Sequence, residues 1–422
     1  MSTPEKGRLP PLASLVSAGE AQKEAVAITD FIFMAQDISN AYLVTTGDGD
    51  LLVNSGFMAS AERNRSVLAP VRTGDLRYII LTQAHPDHYG GVPSLREPGT
   101  RIVAERRFTR TWQYFQDLHP YLTERTGKLW AFNRKGSGTP PPPPRVVPDI
   151  VVDRRLAIDL GGRRFELIST PGGETLCALT VWMPQEKVVF TGNLFGPVFL
   201  SMPNLVTVRG DKPRLVGRYL ESLERVRRLG AELLITGHGE PIRGAATIRE
   251  ALDKMHAAVS FVNEATIAGM NAGRTVHELM RAITLPEHLR IGEFHGKVSW
   301  AVRSIWEEYS GWFHYDSTTS FYGVPRSSID GDLVELAGGP DRLAARAEHN
   351  LEAGRPLEAI HLLDIALGAD PSNGAALTVK KQALLRLLEQ SGGTNLSEVM
   401  WLRAEIAGTE AKLATGRKAD AG

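Results

Sequence analysis

The chain has 422 residues, in which 48 Lys and Arg balance 48 Asp and Glu. A chain of this length is too long to fold around one ordinary hydrophobic core, so we predict two or three structural units. The zero net charge gives no global attraction to nucleic acid or to an anionic membrane, so neither is expected as a partner. The single cysteine, Cys177, excludes an intramolecular disulfide and fits a reducing compartment. The N-terminus lacks the apolar core of a signal peptide and no apolar run is long enough to cross a bilayer, so we expect a cytoplasmic protein.

The first half of the chain is predicted to consist of strands separated by turns. Residues 40–46 and 51–53 should form a hairpin, because the Gly-Asp-Gly-Asp segment between them tolerates positive φ. Runs rich in β-branched and apolar residues predict further strands at 77–81, 102–104 and 164–168. A hairpin followed by strand–loop–helix units predicts an α+β fold with two sheets packed face to face and helices outside.

The segment after the strand at 77–81 carries candidate metal ligands. It reads Thr-Gln-Ala-His-Pro-Asp-His-Tyr-Gly-Gly, and His85, Asp87 and His88 fall within four residues. Two imidazoles and one carboxylate are a donor set that suits a borderline divalent ion such as Zn²⁺. The alternative is a polar loop that happens to contain two histidines.

This segment resembles the His-x-His-x-Asp-His signature of the metallo-β-lactamase superfamily, with Gln83 at the position of the first His. The resemblance implies an αββα sandwich over residues 28–265, preceded by an N-terminal extension at 1–27. In this superfamily the remaining ligands lie on later loops, so the later turns of the chain should supply them.

Three later positions match that pattern in part. Glu174 follows a Thr-Pro-Gly-Gly turn, where the alkylsulfatase branch of the superfamily has a Glu ligand in place of a His. Asn193 stands where the family has the carboxylate that bridges two metals. His238 follows a strand and matches the last His ligand. A further Asp-to-Asn departure occurs at Asn54.

The resemblance therefore implies a centre for one or two Zn²⁺ ions, with Fe or Mn as alternatives. The implied ligands divide into a first site of Gln83, His85 and Glu174 and a second site of Asp87, His88 and His238. Asp87 would also be catalytic, because it would orient the metal-activated water. Asn193 would lie in the bridging position or behind the ligands. Because a bridging carboxylate and one His are missing, a mononuclear or unevenly loaded centre is one expectation.

Residues 203–210 resemble an Asn-Leu-x-Thr-x-Arg-Gly segment that contributes to the sulfate site of alkylsulfatases. The resemblance implies that Asn204 and Arg209 bind the anionic group of the substrate. An Arg side chain presents a planar fork of donors that suits a tetrahedral oxyanion. The alternative is a structural ion pair between Arg209 and Asp211.

An insertion at residues 108–145 separates two predicted strands. It is rich in aromatic residues, it should form one or two helices, and a proline run at 140–144 closes it. The aromatic side chains either pack within these helices or form an apolar lid over the metal site, since loops near sites carry specificity.

The C-terminal half is predicted to be helical. Apolar residues recur at helical spacing over 247–270, and Thr275 is the expected N-cap of the next helix. Residues 295–313 resemble the opening of the alkylsulfatase dimerisation domain, which the resemblance places at 266–408. The expected helices of its later part cover 343–353, 356–367, 374–391 and 398–415. A disordered tail is expected at 409–422.

The resemblance to that domain implies a homodimer. Apolar helix faces around Trp300, Trp306 and Trp312 should form the two-fold interface. The alternative is that these tryptophans pack inside their own chain.

The sequence predicts a metal-dependent hydrolase that uses a metal-activated water on a small-molecule ester, with an alkyl or aryl sulfate as the expected substrate. A lactone, a thioester or a phosphodiester is the first alternative. The second alternative is a non-catalytic dimeric scaffold with a degenerate metal site.

Overall fold

A computed structural model describes residues 10–17, 19–130, 142–205, 207–211 and 214–419. These residues form two compact units. The larger unit comprises Pro11–Gly127 and Phe132–Tyr309, and the smaller unit comprises Ser310–Gly422 with Met1–Pro10 and Lys128–Ala131. Among the described segments, no helix combines the length and the apolar character that a bilayer crossing requires.

The larger unit contains two mixed sheets. The first has the order β1-β2-β3-β4-β5-β6-β7, and its strands from β4 to β7 run parallel. The second has the order β13-β12-β11-β10-β9-β8, and only its β11–β12 pair is parallel. The strands are β1 (Val26–Ala27), β2 (Ile32–Ala35), β3 (Ala41–Thr46), β4 (Gly49–Val53), β5 (Leu76–Leu81), β6 (Arg101–Glu105), β7 (Ile150–Val152), β8 (Arg155–Leu160), β9 (Arg163–Ser169), β10 (Leu179–Met183), β11 (Val188–Gly192), β12 (Leu233–Thr236) and β13 (Ile242–Arg243).

Fifteen α-helices occur among the described residues. They are α1 (Pro11–Ser17), α2 (Ala61–Leu68), α3 (Pro86–Tyr89), α4 (Val92–Leu95), α5 (Phe108–Asp117), α6 (His119–Leu129), α7 (Val216–Arg227), α8 (Ala245–Asn271), α9 (Val276–Ala282), α10 (Val298–Ser310), α11 (Asp330–Ala337), α12 (Pro340–Glu352), α13 (Pro356–Ala369), α14 (Gly374–Gln390) and α15 (Leu396–Ala419). Thr275 caps α9 as predicted, in a reciprocal capping box with Glu278.

The core of the larger unit lies between the two sheets. Val44 and Ile80 of the first sheet belong to one buried cluster with Phe165, Phe190 and Ile235 of the second. Full burial of each such side chain contributes about 1.5–3 kcal/mol relative to exposure. Separate buried clusters join helices to the outer side of each sheet. The predicted αββα sandwich is therefore confirmed.

Helices α8, α9 and α10 pack as part of the larger unit. Leu279 of α9 and Ile305 of α10 lie in one buried cluster with Val189 and Leu234 of the second sheet. The structural division thus falls between Tyr309 and Ser310, whereas the predicted domain boundary lay at residue 266. The helices that follow residue 266 therefore bury apolar side chains in one cluster with the second sheet.

The smaller unit is a stack of helices, α11 to α15. Its core is rich in alanine, with Ala344, Ala347, Ala359, Ala366 and Ala376 in one cluster. Such small side chains let helix backbones approach closely. The predicted helices at 343–353, 356–367 and 374–391 correspond to α12, α13 and α14.

Two predicted terminal segments differ from the structure. The tail expected to be disordered from residue 409 continues α15 as far as Ala419, because residues 409–419 contain mostly good helix formers and no proline. Residues 420–422 lie outside the described part. Within the predicted N-terminal extension, Val26 and Ala27 pair with β2 as an edge strand, and residues 1–9 and 18 lie outside the described part.

The aromatic insertion forms two helices, α5 and α6, as predicted. Trp112 of α5 donates a hydrogen bond to the backbone carbonyl of Pro144 at 3.1 Å, which ties the helix to the end of the proline run. Residues 131–141, including the first two prolines of that run, lie outside the described part.

Candidate metal centre

The metal motif is held at the carboxyl end of β5 by its neighbour β4. Asn54 follows β4 with a φ of 60° and accepts hydrogen bonds from the Thr82 amide at 2.9 Å and from its hydroxyl at 3.0 Å. Because β4 and β5 are parallel, their carboxyl ends lie side by side, and Asn54 can reach the loop. The family's Asp is replaced here by a residue that fixes the motif's backbone.

The predicted second site is assembled in the structure. One ligand atom from each of Asp87, His88 and His238 lies within 4.8 Å of the others. A carboxylate oxygen of Asp87 is 3.6 Å from His88 Nε2 and 3.9 Å from His238 Nε2. His238 Nδ1 donates to the backbone carbonyl of Ile38, which leaves Nε2 as the ligand atom.

Two hydroxyl groups lie against the His88 ring. Ser39 and Thr82 each place their oxygen 3.2 Å from His88 Nδ1. Ser39 donates its own proton to the Gly237 carbonyl and Thr82 donates to Asn54, so both oxygens can accept from His88. A proton on Nδ1 would satisfy both contacts and would leave the Nε2 lone pair on the side of Asp87, whose carboxylate oxygen is 3.6 Å away.

The charges of this cluster suit a divalent ion. Burial lowers the pKa of His88 to about 4, so its imidazole is neutral at pH 7. Burial alone would raise the pKa of Asp87, but the neighbouring His88 and His238 hold it below its usual value. Two imidazoles and one carboxylate are a donor set that binds Zn²⁺, so these three residues fit the metal that the motif implies.

The predicted first-site residues are also brought together, but their polar atoms face other protein groups. Gln83 Nε2 is 2.8 Å from His85 Nδ1 and 3.0 Å from His88 Nε2, and Gln83 Oε1 is buried with no hydrogen-bond partner among the described residues. Glu174 accepts from Asn193 Nδ2 at 3.0 Å. The same amide nitrogen lies 2.9 Å from His238 Nε2, so Asn193 links the two predicted sites.

The sequence did not point to Arg214 at this centre, and it pointed to Asp211 only as an ion-pair partner of Arg209. Arg214, whose side chain is 1% exposed, lies 3.3 Å from Glu174 and 2.9 Å from Asp211. Asp211 also lies 3.2 Å from His85 Nε2. Burial alone would raise the pKa values of Glu174 and Asp211, but Arg214 helps to hold both below their usual values. The only local signal was the i,i+3 spacing of Asp211 and Arg214.

The predicted anion-binding residues lie beside this network. Arg209 is 3.4 Å from Asp211, so the alternative ion pair does form, although the Arg209 side chain stays 26% exposed. The backbone carbonyl of Asn204 accepts a hydrogen bond from Arg214 at 3.0 Å. The side-chain oxygen of Asn204 is buried and has no hydrogen-bond partner among the described residues.

Two further side chains border the centre. Phe115 of α5 places its ring centroid 5.2 Å from that of His85, so the insertion lies against the metal motif. His295, from the segment before α10, was not predicted as a site residue. Burial lowers its pKa to about 3, although the charge of Glu174 opposes the shift.

Comparison with known proteins agrees with this architecture. Residues 34–238 match the model of the metallo-beta-lactamase superfamily, and residues 275–405 match that of the alkyl sulfatase dimerisation domain. A linear primary-alkylsulfatase from Pseudomonas sp. is 25% identical over 82% of this chain and 69% of its own length. The alkyl/aryl-sulfatase BDS1 of Saccharomyces cerevisiae is 23% identical over 90% of this chain and 62% of its own length.

A solved structure shows the same fold at lower identity. The stereoselective inverting sec-alkylsulfatase Pisa1 from Pseudomonas sp. superposes with a TM-score of 0.78 at 19% identity, covering 91% of this chain and 65% of that one. This chain therefore spans roughly two thirds of the length of these proteins. The two matches show that the chain carries a metallo-beta-lactamase domain followed by an alkyl sulfatase dimerisation domain, and that it is homologous to alkylsulfatases.

Proposed function

We propose that the chain is a metal-dependent hydrolase of sulfate esters, acting on an alkyl or aryl sulfate. The buried cluster of Asp87, His88 and His238 carries the proposal, since it fits a divalent ion in a chain homologous to alkylsulfatases. Zn²⁺ is the proposed ion, and Fe or Mn would accept the same donors.

A bound ion would lower the pKa of a coordinated water toward neutrality and so supply hydroxide. The protein's contribution is to keep Asp87 ionised and to hold the rings of His88 and His238 in a fixed orientation. Asp87 stays ionised and can accept a hydrogen bond from water, which would orient that water. His88 and His238 each have one ring nitrogen engaged by oxygen atoms of the protein, so their Nε2 lone pairs keep a fixed direction.

Arg209 and Asn204 are the proposed contacts for the sulfate group. Arg209 donates one N–H to Asp211 and part of its side chain stays exposed, so its other N–H donors are available to an anion. The Asn204 amide is buried and its oxygen has no partner among the described residues, as expected for a group that meets a ligand.

The test of this proposal is a substrate panel on the metal-loaded protein, with alkyl and aryl sulfates beside a lactone, a thioester and a phosphodiester. Sulfate release should exceed hydrolysis of the other esters, which are the alternative substrates. Arg209→Ala should raise KM for sulfates about 10- to 100-fold, since a hydrogen bond to a charged group contributes about 1.5–3 kcal/mol. Arg218→Ala is the matched control, because Arg218 is exposed and pairs only with Glu221 among the described residues. Equal KM values for both variants would contradict the assignment of Arg209.

A homodimer is the proposed assembly, because residues 275–405 match the alkyl sulfatase dimerisation model. Trp312 is 72% exposed and makes ring contacts with Phe313 and Phe321 in the smaller unit. Trp306 is partly buried against the core of its own chain, and its place in the interface stays a prediction. Light scattering after size exclusion should give twice the chain mass of 46.1 kDa at micromolar concentration, and a single-chain mass would refute the dimer.

The cytoplasm is the proposed location, because Cys177 is buried and free. Cell fractionation with the native chain tests this, and recovery in a secreted fraction would contradict it.

A further inference from the structure

The two halves of the candidate metal centre differ in the charge that they offer to a cation. The second site contains the carboxylate of Asp87, and no Lys or Arg among the described residues forms an ion pair with it. The first site contains the carboxylate of Glu174, which already has Arg214 at 3.3 Å. A dication at the first site would have to approach a carboxylate whose charge a buried guanidinium already offsets.

Arg214 is built into the protein as a resident cation. Its side chain is 1% exposed, and its two terminal nitrogens contact Glu174, Asp211 and the Asn204 carbonyl within 3.3 Å. Two carboxylates therefore share this buried guanidinium, with the partly exposed Arg209 beside Asp211. The formal charges of these four side chains sum to zero, which leaves no excess negative charge to bind a second dication.

The amides of Gln83 and Asn193 replace a ligand and a bridge with neutral groups. The Gln83 amide nitrogen contacts both His85 and His88, and the Asn193 amide nitrogen contacts both Glu174 and His238. Each amide oxygen is buried without a partner among the described residues. Rotation of the Gln83 amide would turn its oxygen toward His88, so this contact can yield to an ion at the second site. The ion pair between Arg214 and Glu174 has no comparable alternative.

We infer that the chain binds one divalent ion, at Asp87, His88 and His238, and that Arg214 takes the place of a second ion beside Glu174. The first-site residues do not fit a metal in this chain. Gln83, His85 and Glu174 instead form a hydrogen-bonded wall of the site, held by Arg214 and Asp211. This inference rests on the proposed function only in assuming that the second site binds a metal.

Metal content of the full chain tests the inference. The protein is stripped with a chelator, reloaded with excess Zn²⁺, passed through a desalting column and analysed for zinc per chain by mass spectrometry. We expect one ion in the native chain, none in His238→Ala, and one in Glu174→Gln. Two ions in the native chain, or loss of the ion in Glu174→Gln, would overturn the inference. Two ions in the native chain would leave the proposed function standing, whereas absence of zinc from the native chain would overturn both the inference and the proposed function. The two failures are therefore distinguishable.

The part assigned to Arg214 has its own test. Gln83→His alone should still hold one ion, because Arg214 continues to offset Glu174. The double variant Gln83→His/Arg214→Met should hold two, because the imidazole and the freed carboxylate are then both available. Co²⁺ substitution gives a second readout, as the visible absorption should saturate at one equivalent in the native chain and at two in the double variant. A folded double variant that holds one ion would overturn the role of Arg214, and so would a second ion in Gln83→His alone. If the double variant does not fold, Gln83→His and Glu174→Gln decide the question.

Discussion

Replacing Arg214 by Met should destabilise the metal-free larger unit more than the loss of a comparable surface arginine. The change leaves Glu174 and Asp211, both almost fully buried, without the guanidinium that lies 3.3 Å and 2.9 Å from them. Removing one partner of a buried ion pair costs about 3–5 kcal/mol, because a charge stays buried and uncompensated. The lost hydrogen bond to the Asn204 carbonyl is part of that cost.

Arg227→Met is the matched control. Arg227 also contacts two carboxylates, Glu224 and Asp253, each at 2.6 Å, but its side chain is 32% exposed. Exposed pairs contribute about 0.2–1 kcal/mol each, because water screens them, so the control should lose no more than about 2 kcal/mol. Urea unfolding in chelator, followed by tryptophan fluorescence, measures both changes. Equal decreases in the free energy of unfolding in the two variants would refute the argument that burial makes the ion pairs of Arg214 more stabilising.

The same ion pairs give the Arg214 effect a pH dependence. The folded-state pKa values of Glu174 and Asp211 lie below their usual values. Their stabilising contribution is therefore fully present above the unfolded pKa values of about 4, and it is lost as pH falls through the folded values. In Arg214→Met, burial should raise the pKa values of both carboxyl groups. Protonation at low pH would then remove the buried negative charges that destabilise the variant. The difference in unfolding free energy between native chain and variant should thus be smaller at pH 4 than at pH 7, and a constant difference would contradict this.

Three further predictions follow from single contacts. His88→Ala should lose bound zinc and most hydrolysis, as measured by metal analysis and turnover, and full retention of both would show that the ligand is misassigned. Gly173→Ala should lower the thermal midpoint, because an added Cβ would lie 2.3 Å from the Leu194 carbonyl oxygen, and an unchanged midpoint would contradict that crowding. Phe115→Ala should raise KM for long-chain alkyl sulfates more than for short ones, because the ring near His85 would contact the alkyl chain. Equal KM changes for both chain lengths would exclude Phe115 from the substrate pocket.

The strands and the ligand motif could be predicted because their signals are local. The strands expected at 77–81, 102–104 and 164–168 are found at Leu76–Leu81, Arg101–Glu105 and Arg163–Ser169. A short apolar run marks a buried strand wherever it packs, and His85 to His88 lie within four consecutive residues, so neither signal needs information from distant residues.

The division of the helices could not be predicted in the same way. Helices α8 to α10 and α11 to α15 share an apolar periodicity of helical spacing, and that periodicity does not say which surface a helix covers. Ile305 of α10 packs with Leu234 of β12, whereas Leu363 of α13 packs with alanines of neighbouring helices. The choice between these partners depends on residues far away in the chain.

Arg214 escaped prediction for a related reason, and its position changes how the departures from the family motif are interpreted. Taken singly, Gln83 and Asn193 look like weakened metal ligands. In the structure both amides lie in one network with Glu174, whose carboxylate is paired with an arginine 40 residues later in the chain. The neutral amides at Gln83 and Asn193 and the buried guanidinium of Arg214 act in the same direction, since each lowers the site's attraction for a second cation. This network supports the proposal of a one-metal site with an internal positive charge over that of a damaged two-metal site.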